Sequence, residues 1–368
     1  MNFFMFGCRF FKKAAAVLVV FLFISGCYFS GTEAEEKPSG RSLTLMTWNV
    51  QNLFDGKDNG YEYVEFLESS GWSAEKYMGR INSISAAIES INPKPDIMIF
   101  QEIESLEILK DLALSLSDGY NWSHFGNNPG AALGLGILSR VPLSDNKVHS
   151  ITIDSGTIPR PVLEIRIDTD EASFIIFACH WKSKLGDEFV TENIRKSSAR
   201  VILRRIRELW QNEPELGIIV CGDLNENHDE FFRENAKMIC ALVPDDIYCA
   251  AMADYSGGVT GQQKDFLIIS KNNPPSPVHF PDDAIVFFSP WTDELENGSY
   301  YYKNNWETID HFLLSPQFFN NKNWEYSGAI AANFQPFVNS KGTPFFYNAR
   351  TGTGLSDHLP LLIILKAE

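Results

Sequence analysis

The sequence has little positive charge, no repeats and no zinc-binding pattern. Lys and Arg number 31 against 47 Asp and Glu, a formal net charge of −16, so bulk attraction to nucleic acid or to an anionic membrane is not expected. There is no tandem repeat or low-complexity block, and 44% of the 368 residues are hydrophobic. This composition excludes a wholly disordered, collagen-like or multi-span membrane protein. No spacing of Cys and His is typical of zinc ligands.

The N-terminus has the pattern of a targeting segment. It carries three cations, Arg9, Lys12 and Lys13. Residues 14–24 form an apolar run that is shorter than a typical membrane span of about 20 residues. Residues 24–27, Ile-Ser-Gly-Cys, resemble a bacterial lipobox, whose cysteine is lipidated after cleavage. We therefore predict a signal peptide over 1–26, lipidation of Cys27 and a flexible tether over 27–41.

These segments predict a protein that is lipid-anchored in a bacterial cell envelope, facing the periplasm or the outside. An ordinary signal peptide that leads to secretion, or a short membrane anchor, is the alternative.

Short apolar runs alternate with amphipathic stretches along the rest of the chain. Residues 43–50 (LTLMTWNV) and 217–221 (GIIVC) predict strands, and residues 73–91 predict a helix with apolar side chains three to four apart. Helices interleaved with many strands indicate an α/β or α+β fold with layered sheets. The pattern weakens over residues 231–306, where we predict loops over one face instead of a second domain.

Polar side chains lie at the ends of the predicted strands. They are Asn49, Glu102, His180, Asp223, Asn225 and Asp310, with the group Ser356, Asp357 and His358 before a final apolar run. A carboxylate or amide at the exit of a buried strand is costly to leave unpaired. One such residue would be an ordinary turn or cap, but six groups converging on one edge predict a single site.

In chain order, the motifs WNVQN, QE, HWKSK, GDLN, IDHFLLS and SDHLPL resemble those of the endonuclease/exonuclease/phosphatase superfamily. The resemblance covers about residues 42–365. It implies an α/β fold for residues 42–368, a four-layer α/β/β/α sandwich of two packed mixed sheets flanked by helices. It also implies hydrolysis of a phosphate ester with Mg²⁺ or Mn²⁺, ions that prefer hard oxygen ligands.

The resemblance makes Glu102 the first metal ligand, with Asn49 and Asp357 completing or flanking the metal shell. Asn49 taken alone would equally be a turn or capping amide. Asp223 and Asn225 leave a strand at i and i+2, so their side chains are expected to point the same way. One would orient or deprotonate water while the other donates to a phosphoryl oxygen. The alternative for this pair is an ordinary turn.

His358 is predicted to be a general acid or base, or a phosphate donor, and the resemblance makes Asp310 the carboxylate that fixes its tautomer. His180 is the second histidine expected at the scissile phosphate. Pairing across a hairpin centred near residue 172 would place Glu164 opposite His180 as its orienting carboxylate. The cations assigned to the substrate phosphate are Arg160, Lys182 and Lys184.

Cations in the predicted helix over residues 192–210 could face DNA, but they spread around the helix, so we interpret them as a solvated outer face. The leading function is a surface-anchored or secreted nuclease that acts on DNA or RNA as a monomer, with no evident protein partner. The alternatives are a phospholipid or sphingomyelin phosphodiesterase, an inositol-phosphate phosphatase, and a non-catalytic adhesin on the same fold.

Overall fold

Two β-sheets packed face to face form the centre of the fold. The computed structural model describes residues 41–117, 119–153, 158–234, 238–247, 265–272, 284–292 and 295–368. The predicted signal peptide, the lipidation site Cys27 and the tether up to residue 40 lie outside the described residues. Within the described ranges, no helix has both the length and the apolar character that a membrane span needs.

Four α-helices lie between the strands in the first two thirds of the described residues, and the rest of the chain order is made of strands and short turns. The strands are β1 (Ser42–Leu53), β2 (Ile97–Ile103), β3 (Trp122–Gly126), β4 (Gly134–Ser139), β5 (Leu143–His149), β6 (Val162–Asp168), β7 (Ser173–His180), β8 (Gly217–Asp223), β9 (Leu242–Pro244), β10 (Leu267–Ser270), β11 (Val286–Phe288), β12 (Tyr300–Tyr302), β13 (Asn305–Glu307), β14 (Asp310–Leu314), β15 (Trp324–Ala331) and β16 (Leu361–Ala367). The α-helices are α1 (Ala74–Glu89), α2 (Leu106–Ser115), α3 (Glu188–Asn212) and α4 (Glu230–Arg233).

Both large sheets are mixed. The first has the order β15-β16-β1-β2-β4-β3, and the second has the order β5-β6-β7-β8-β14-β11-β10-β9. The pairs β1–β2 and β7–β8 are parallel, so the two strands of each pair end at the same edge of their sheet. The prediction of loops over residues 231–306 is wrong in part, because β9, β10 and β11 extend the second sheet and β12 pairs with β13.

Apolar side chains form three large hydrophobic clusters, one between the two sheets and one on the outer face of each sheet. Residues such as Leu45, Ile99 and Ile176 pack between the two sheets. The outer face of the first sheet is covered by α1 and α2, and the outer face of the second is covered by α3. The predicted four-layer α/β/β/α sandwich is therefore confirmed.

The helices that cover the sheets begin at polar caps. The side chain of Ser73 accepts a hydrogen bond from the backbone N–H of Lys76 at the start of α1, and Asp187 caps α3 through the N–H of Val190. Each helix then buries one apolar stripe, as Ile81 does in α1. Both helices are therefore held against the outer faces of the two sheets.

Candidate active site

The predicted polar residues meet at the edge where the parallel strands of both sheets end. β1 and β2 deliver Asn49 and Glu102 to this edge, and β7 and β8 deliver His180 and Asp223. Asp310 begins β14 directly opposite Asp223 in antiparallel register. Strand pairing therefore brings residues of five strands to the edges of their two sheets, and the packing of the sheets brings those edges together.

A buried arginine holds the irregular end of β1. Gln51, Asn52 and Glu102 have positive φ values of 53°, 55° and 64°, and the β1–β2 ladder shifts register at this point. The Arg80 guanidinium donates to the backbone carbonyls of residues 50–52. The backbone N–H of Asn52 donates to Oε2 of Glu102 at 2.7 Å. This bulge turns the Glu102 carboxylate toward the site.

Asn49 joins the two sheets through its amide nitrogen. Its Nδ2 donates to Oδ2 of Asp223 at 3.0 Å and to Oε1 of Glu102 at 3.3 Å. Its Oδ1 accepts from the backbone N–H of Gln51 at 3.0 Å. In this orientation the amide oxygen accepts one hydrogen bond and the NH₂ group faces the two carboxylates. The role of Asn49 at a metal stays a prediction. The contacts that Asn49 makes in the structure hold Asp223 and Glu102 together.

Asp223 lies between two histidines and is 2% exposed. Its Oδ2 lies 3.5 Å from Nε2 of His180 and 3.9 Å from Nε2 of His358. Burial and the nearby charge of Asp310 raise the pKa of Asp223 to about 7, although His358 and Asn49 favour its ionised form and so act to lower the pKa. A carboxylate with a pKa near neutrality can exchange a proton during a reaction at neutral pH.

Asp310 and His358 form a buried ion pair. Nδ1 of His358 donates to Oδ2 of Asp310 at 2.8 Å, which confirms the predicted contact. Burial works to lower the pKa of His358, but Asp310, Asp357 and Asp223 together raise it well above its usual value. Nδ1 of His358 is thus engaged by Asp310, and Nε2 is left toward the site, 3.9 Å from Oδ2 of Asp223. His311 points away, as strand alternation predicts, and its Nε2 contacts the carbonyl of Glu226 at 2.8 Å.

His180 is held neutral, and Glu164 does not orient it. Burial, reinforced by Arg160 and His358, lowers the pKa of His180 well below its usual value. The prediction that Glu164 lies opposite His180 is wrong, since the β6–β7 register pairs Glu164 with Phe177. The turn is centred between residues 170 and 171, not at 172, which moves Glu164 to another partner.

The Glu164 carboxylate serves a different cluster on the outer side of the second sheet. It contacts Nε2 of His149 at 2.6 Å and both Nε and Nη2 of Arg205, at 2.7 and 3.0 Å. Arg205, one of the cations of α3, is thus paired with the sheet, and Arg195 of the same helix is only 3% exposed. The interpretation of the helix cations as a solvated outer face is therefore wrong for Arg195 and Arg205.

Arg160 and Asn225 meet beside the site at one backbone carbonyl. Nη1 of Arg160 and Nδ2 of Asn225 both donate to the carbonyl of Trp181, at 2.9 and 3.2 Å. The predicted i and i+2 alternation of Asp223 and Asn225 does not apply, because β8 ends at Asp223 and Asn225 has a φ of 51°. Arg160 is exposed and acts electrostatically on His180, a position suited to the substrate phosphate.

The two lysines of the predicted phosphate set lie beyond the end of β7, which stops at His180. Strand alternation therefore does not align them. Lys184 forms an ion pair with Glu230 at 2.5 Å and approaches Glu307 at 3.7 Å. Lys182 donates to Oγ of Ser183 and to the carbonyl of Leu185, both at 3.2 Å. The structure thus engages both lysines in loop contacts instead of placing them in the cluster.

Glu102 and Asp357 are the carboxylates best placed to hold a metal ion. Oε1 of Glu102 lies 3.8 Å from Nε2 of His180, and Asp357 directly precedes His358, so both carboxylates border the cluster of the two histidines. Among the described residues, no hydrogen bond to the Asp357 side chain is formed, and Asp357 is half-buried. Oxygen donors of this kind match the preference of Mg²⁺ and Mn²⁺. The chemistry of the donor pair therefore fits the predicted cofactor.

Ligand-type atoms of Asp223, Asp310 and His358 also lie within 4.8 Å of one another. Asp310 and His358 are bonded to each other there, whereas Asp223 stays 3.9 Å from Nε2 of His358. This group is therefore better described as an Asp–His pair beside a second carboxylate than as a metal shell.

Four further residues, to which the sequence analysis gave no role, support the site. They are Trp48, Ser299, Tyr300 and Ser356. Nε1 of Trp48 donates to the carbonyl of His358, and Oγ of Ser356 donates to the carbonyl of Asn49. Ser356 could have been identified from its place in the Ser-Asp-His group, whereas the tyrosine-rich run that Ser299 begins does not indicate what its hydroxyl contacts.

One protein family matches more than half of the chain. The profile of the Endonuclease/Exonuclease/phosphatase family matches residues 44–239, which is just over half of the chain. No curated protein sequence gives a significant match.

Solved structures share the fold at low sequence identity. Truncated TDP2 from Caenorhabditis elegans is 13% identical, with a TM-score of 0.52 over 89% of this chain and 98% of that one. An endonuclease/exonuclease/phosphatase family protein from Bacteroides thetaiotaomicron is 15% identical, with a TM-score of 0.50 over 89% and 96% of the two chains. TDP2 from D. rerio, complexed with a single-strand DNA product, is 14% identical, with a TM-score of 0.50 over 89% and 99%.

Proposed function

The chain belongs to the endonuclease/exonuclease/phosphatase family and is a phosphoesterase, and from this premise we propose that it is a divalent-metal-dependent phosphodiesterase acting on DNA or RNA. The observation that carries the proposal is the convergence of Asp223, His180 and the Asp310–His358 pair at one sheet edge. This arrangement supplies an acceptor for one proton and a donor for another within 3.9 Å.

The metal would be held by Glu102 and Asp357, where it would offset negative charge on the phosphate. Arg160 adds a fixed positive charge on the side of His180, and the neutral His180 can donate a hydrogen bond to a phosphoryl oxygen. These groups would offset the charge of the phosphate at the site itself, so a chain of net charge −16 can bind an anionic substrate without a positively charged surface.

Two proton transfers complete the proposed hydrolysis. The oxygen of a water molecule forms a bond to phosphorus, and the proton of that water passes to Asp223. The bond from phosphorus to the leaving oxygen breaks with its electron pair on that oxygen, which takes the proton from Nε2 of His358. Proton exchange with solvent then returns Asp223 and His358 to their starting states.

Aromatic side chains beside His358 favour a nucleic acid among the phosphodiesters. The Tyr300 and Tyr302 rings are stacked, with centroids 6.1 Å apart and planes at 18°, and Tyr302 is 50% exposed. A flat, exposed ring next to the site can stack on a base that has left its duplex. The D. rerio relative that was complexed with a single-strand DNA product is consistent with this substrate class.

The test is a substrate panel with the purified protein in Mg²⁺, Mn²⁺ or EDTA. The panel contains plasmid DNA, single-stranded DNA, RNA, sphingomyelin, a chromogenic phosphodiester and a phosphomonoester. His358→Ala tests the site, and His124→Ala, in β3, is the matched control. Cleavage of nucleic acid that is lost in EDTA and in His358→Ala but kept in His124→Ala would support the proposal. Turnover of sphingomyelin or of the monoester without nucleic acid would overturn the substrate class.

We also propose, from sequence alone, that the protein is a lipid-anchored component of a bacterial cell envelope and acts as a monomer. The pattern over residues 24–27 supports lipidation of Cys27. Mass spectrometry of the mature protein would detect the acyl chains, and Cys27→Ser should release the protein from membranes. Recovery of Cys27→Ser in the membrane fraction would contradict the anchor.

A further inference from the structure

A short hairpin that no motif includes contacts both members of the Asp310–His358 pair. It consists of β12 and β13, and residue 299 precedes it directly. The backbone N–H of Ser299 donates to the carbonyl of Glu307, and the carbonyl of Ser299 accepts from the N–H of Leu359. A Cβ on Gly298 would lie 2.5 Å from the Glu307 carbonyl oxygen, so glycine permits this close approach. The hairpin is thus anchored beside the segment that carries His358.

The Ser299 hydroxyl is bonded to the carboxylate of Asp310. Its Oγ donates to Oδ2 of Asp310 at 2.6 Å and accepts from the backbone N–H of Asp310 at 3.3 Å. The same Oδ2 accepts from Nδ1 of His358. Ser299 is fully buried, and among the described residues the other oxygen of Asp310, Oδ1, has no hydrogen-bond partner. Ser299 therefore supplies the contact that selects which carboxylate oxygen faces His358.

The Tyr300 ring lies over the imidazole of His358. Their centroids are 4.6 Å apart and their planes meet at 31°, and the backbones of the two residues form an antiparallel bridge. Rotation of the imidazole about its Cβ–Cγ bond would drive it into this ring. Tyr301, the next residue, faces the other side of the hairpin and contacts Trp306 edge-on at 5.2 Å.

We propose that Ser299 and Tyr300 are positioning residues for His358, the proton donor of the proposed hydrolysis. Ser299 fixes the Asp310 carboxylate, and Tyr300 fixes the plane of the imidazole, so Nε2 stays directed at the leaving oxygen. This inference rests on the proposed function, since it needs a reaction in which His358 gives up a proton. Neither side chain has to touch the substrate.

The test compares two phosphodiesters that differ in their leaving group. An alkoxide leaving group, as in nucleic acid, needs the proton from His358, whereas 4-nitrophenolate leaves without one. Ser299→Ala and Tyr300→Leu are expected to lower kcat on the nucleic acid by about tenfold to a hundredfold, as for a displaced catalytic group. For the 4-nitrophenyl diester, which has no base to stack on Tyr302, KM and kcat should both change by less than about threefold, because the rest of the site is intact.

Conservative variants separate positioning from simple loss of structure. Tyr300→Phe keeps the ring and Ser299→Thr keeps the hydroxyl, so both should retain most of the activity. Tyr301→Leu is the matched control in the same hairpin and should not change the ratio of the two rates. Thermal unfolding followed by circular dichroism identifies any variant that fails to fold.

Equal losses on both diesters in folded Ser299→Ala or Tyr300→Leu would overturn the inference, as would a Tyr300→Phe protein that is no better than Tyr300→Leu. If the wild type hydrolyses another class of phosphate ester but no nucleic acid, the proposed substrate fails. The comparison then uses alkyl and 4-nitrophenyl esters of that class, and an unequal loss would still support positioning. Absence of turnover on every ester would overturn both proposals.

Discussion

Asp223 and Glu226 are three residues apart, yet they belong to two buried clusters that differ in how completely their carboxylates are hydrogen-bonded. Glu226 and Glu192 share Arg195, and all four of their carboxylate oxygens are bonded. Arg195 donates to Oε2 of each glutamate, while the N–H groups of Ala241 and Leu242 bond the two Oε1 atoms at 2.6 and 2.8 Å.

The cluster around Asp223 is less complete. The nitrogens of His180 and His358 stay 3.5 and 3.9 Å from its carboxylate, and Oδ1 of Asp310 lacks a partner among the described residues. Ligand-type atoms of Asp223, Asp310 and His358 lie within 4.8 Å of one another, and so do those of Glu226, Glu192 and the neighbouring Cys240. Proximity therefore does not distinguish the two clusters. The distinction is the completeness of hydrogen bonding, since a bonded cluster stabilises the fold and an incomplete one keeps donors and acceptors for a substrate.

The largest effect that follows from this comparison is on turnover. Asp223→Asn removes the proton acceptor and should lower kcat by about a thousandfold. Because the pKa of Asp223 is raised to about 7 in the folded state, the folded protein binds more protons than the unfolded chain between pH 4 and 7. Stability is therefore lost as pH rises through that window, and Asp223→Asn should be more stable than the wild type above pH 7 in metal-free buffer.

Urea denaturation at pH 6 and pH 8 with parallel kinetics would measure both quantities. A variant that loses stability as well as activity would place Asp223 with the structural cluster and remove the distinction.

The bonded cluster should give the reverse result. Arg195→Met leaves two buried carboxylates without their shared cation and should lower the free energy of unfolding by about 3–5 kcal/mol. The kcat of the folded protein should fall by less than about threefold, because Arg195 makes no contact with Asp223 or His358. Arg200→Met is the control on the same helix. Its guanidinium is exposed and pairs weakly with Asp265 at 3.5 Å, so we expect a change below about 1 kcal/mol.

Glu164 offers a smaller test on the outer side of the second sheet. Despite its burial, His149 and Arg205 lower the pKa of Glu164 to about 2. Its ionised form therefore contributes stability above pH 4.5, and this contribution is lost as pH falls from 4.5 to 2. Glu164→Gln should lower the unfolding free energy at pH 7 by about 1–3 kcal/mol, with the difference from wild type narrowing toward pH 2.

The same Glu164→Gln protein should keep its kcat at pH 7, since Glu164 does not touch His180. A loss of activity similar to that of a His180→Asn protein would restore the orienting role and contradict the observed register.

The fold and the centre of the site could be predicted because both depend on short-range patterns. An apolar run such as residues 217–221 fixes a strand, and the residue at its end, Asp223, is then brought to the common edge by strand pairing. The orientation of His311 followed from strand alternation for the same reason. Such residues need no knowledge of distant contacts.

The errors concern contacts that depend on turn geometry or on distant partners. A turn centred about one and a half residues from the expected position gave Glu164 another partner. Burial of Arg195 depends on Glu226, which is 31 residues away, so its helix appeared to be a solvated face. Ser299 precedes a strand of only three residues, which is too short to produce a periodic pattern.

The smallest effect separates two cations that the sequence placed in the same phosphate-binding set. Arg160 is exposed beside His180, so Arg160→Met should raise KM for a phosphodiester by about tenfold, the value of one charge-assisted contact. Lys184 is already paired with the buried carboxylate of Glu230, and Lys184→Met should leave KM within about twofold while lowering the unfolding free energy by about 1–2 kcal/mol. Steady-state kinetics of the two variants, at matched folding, measure the difference directly. Equal increases in KM would mean that Lys184 leaves Glu230 when substrate binds, and the distinction between bonded and available charges would then not extend to the loops around the site.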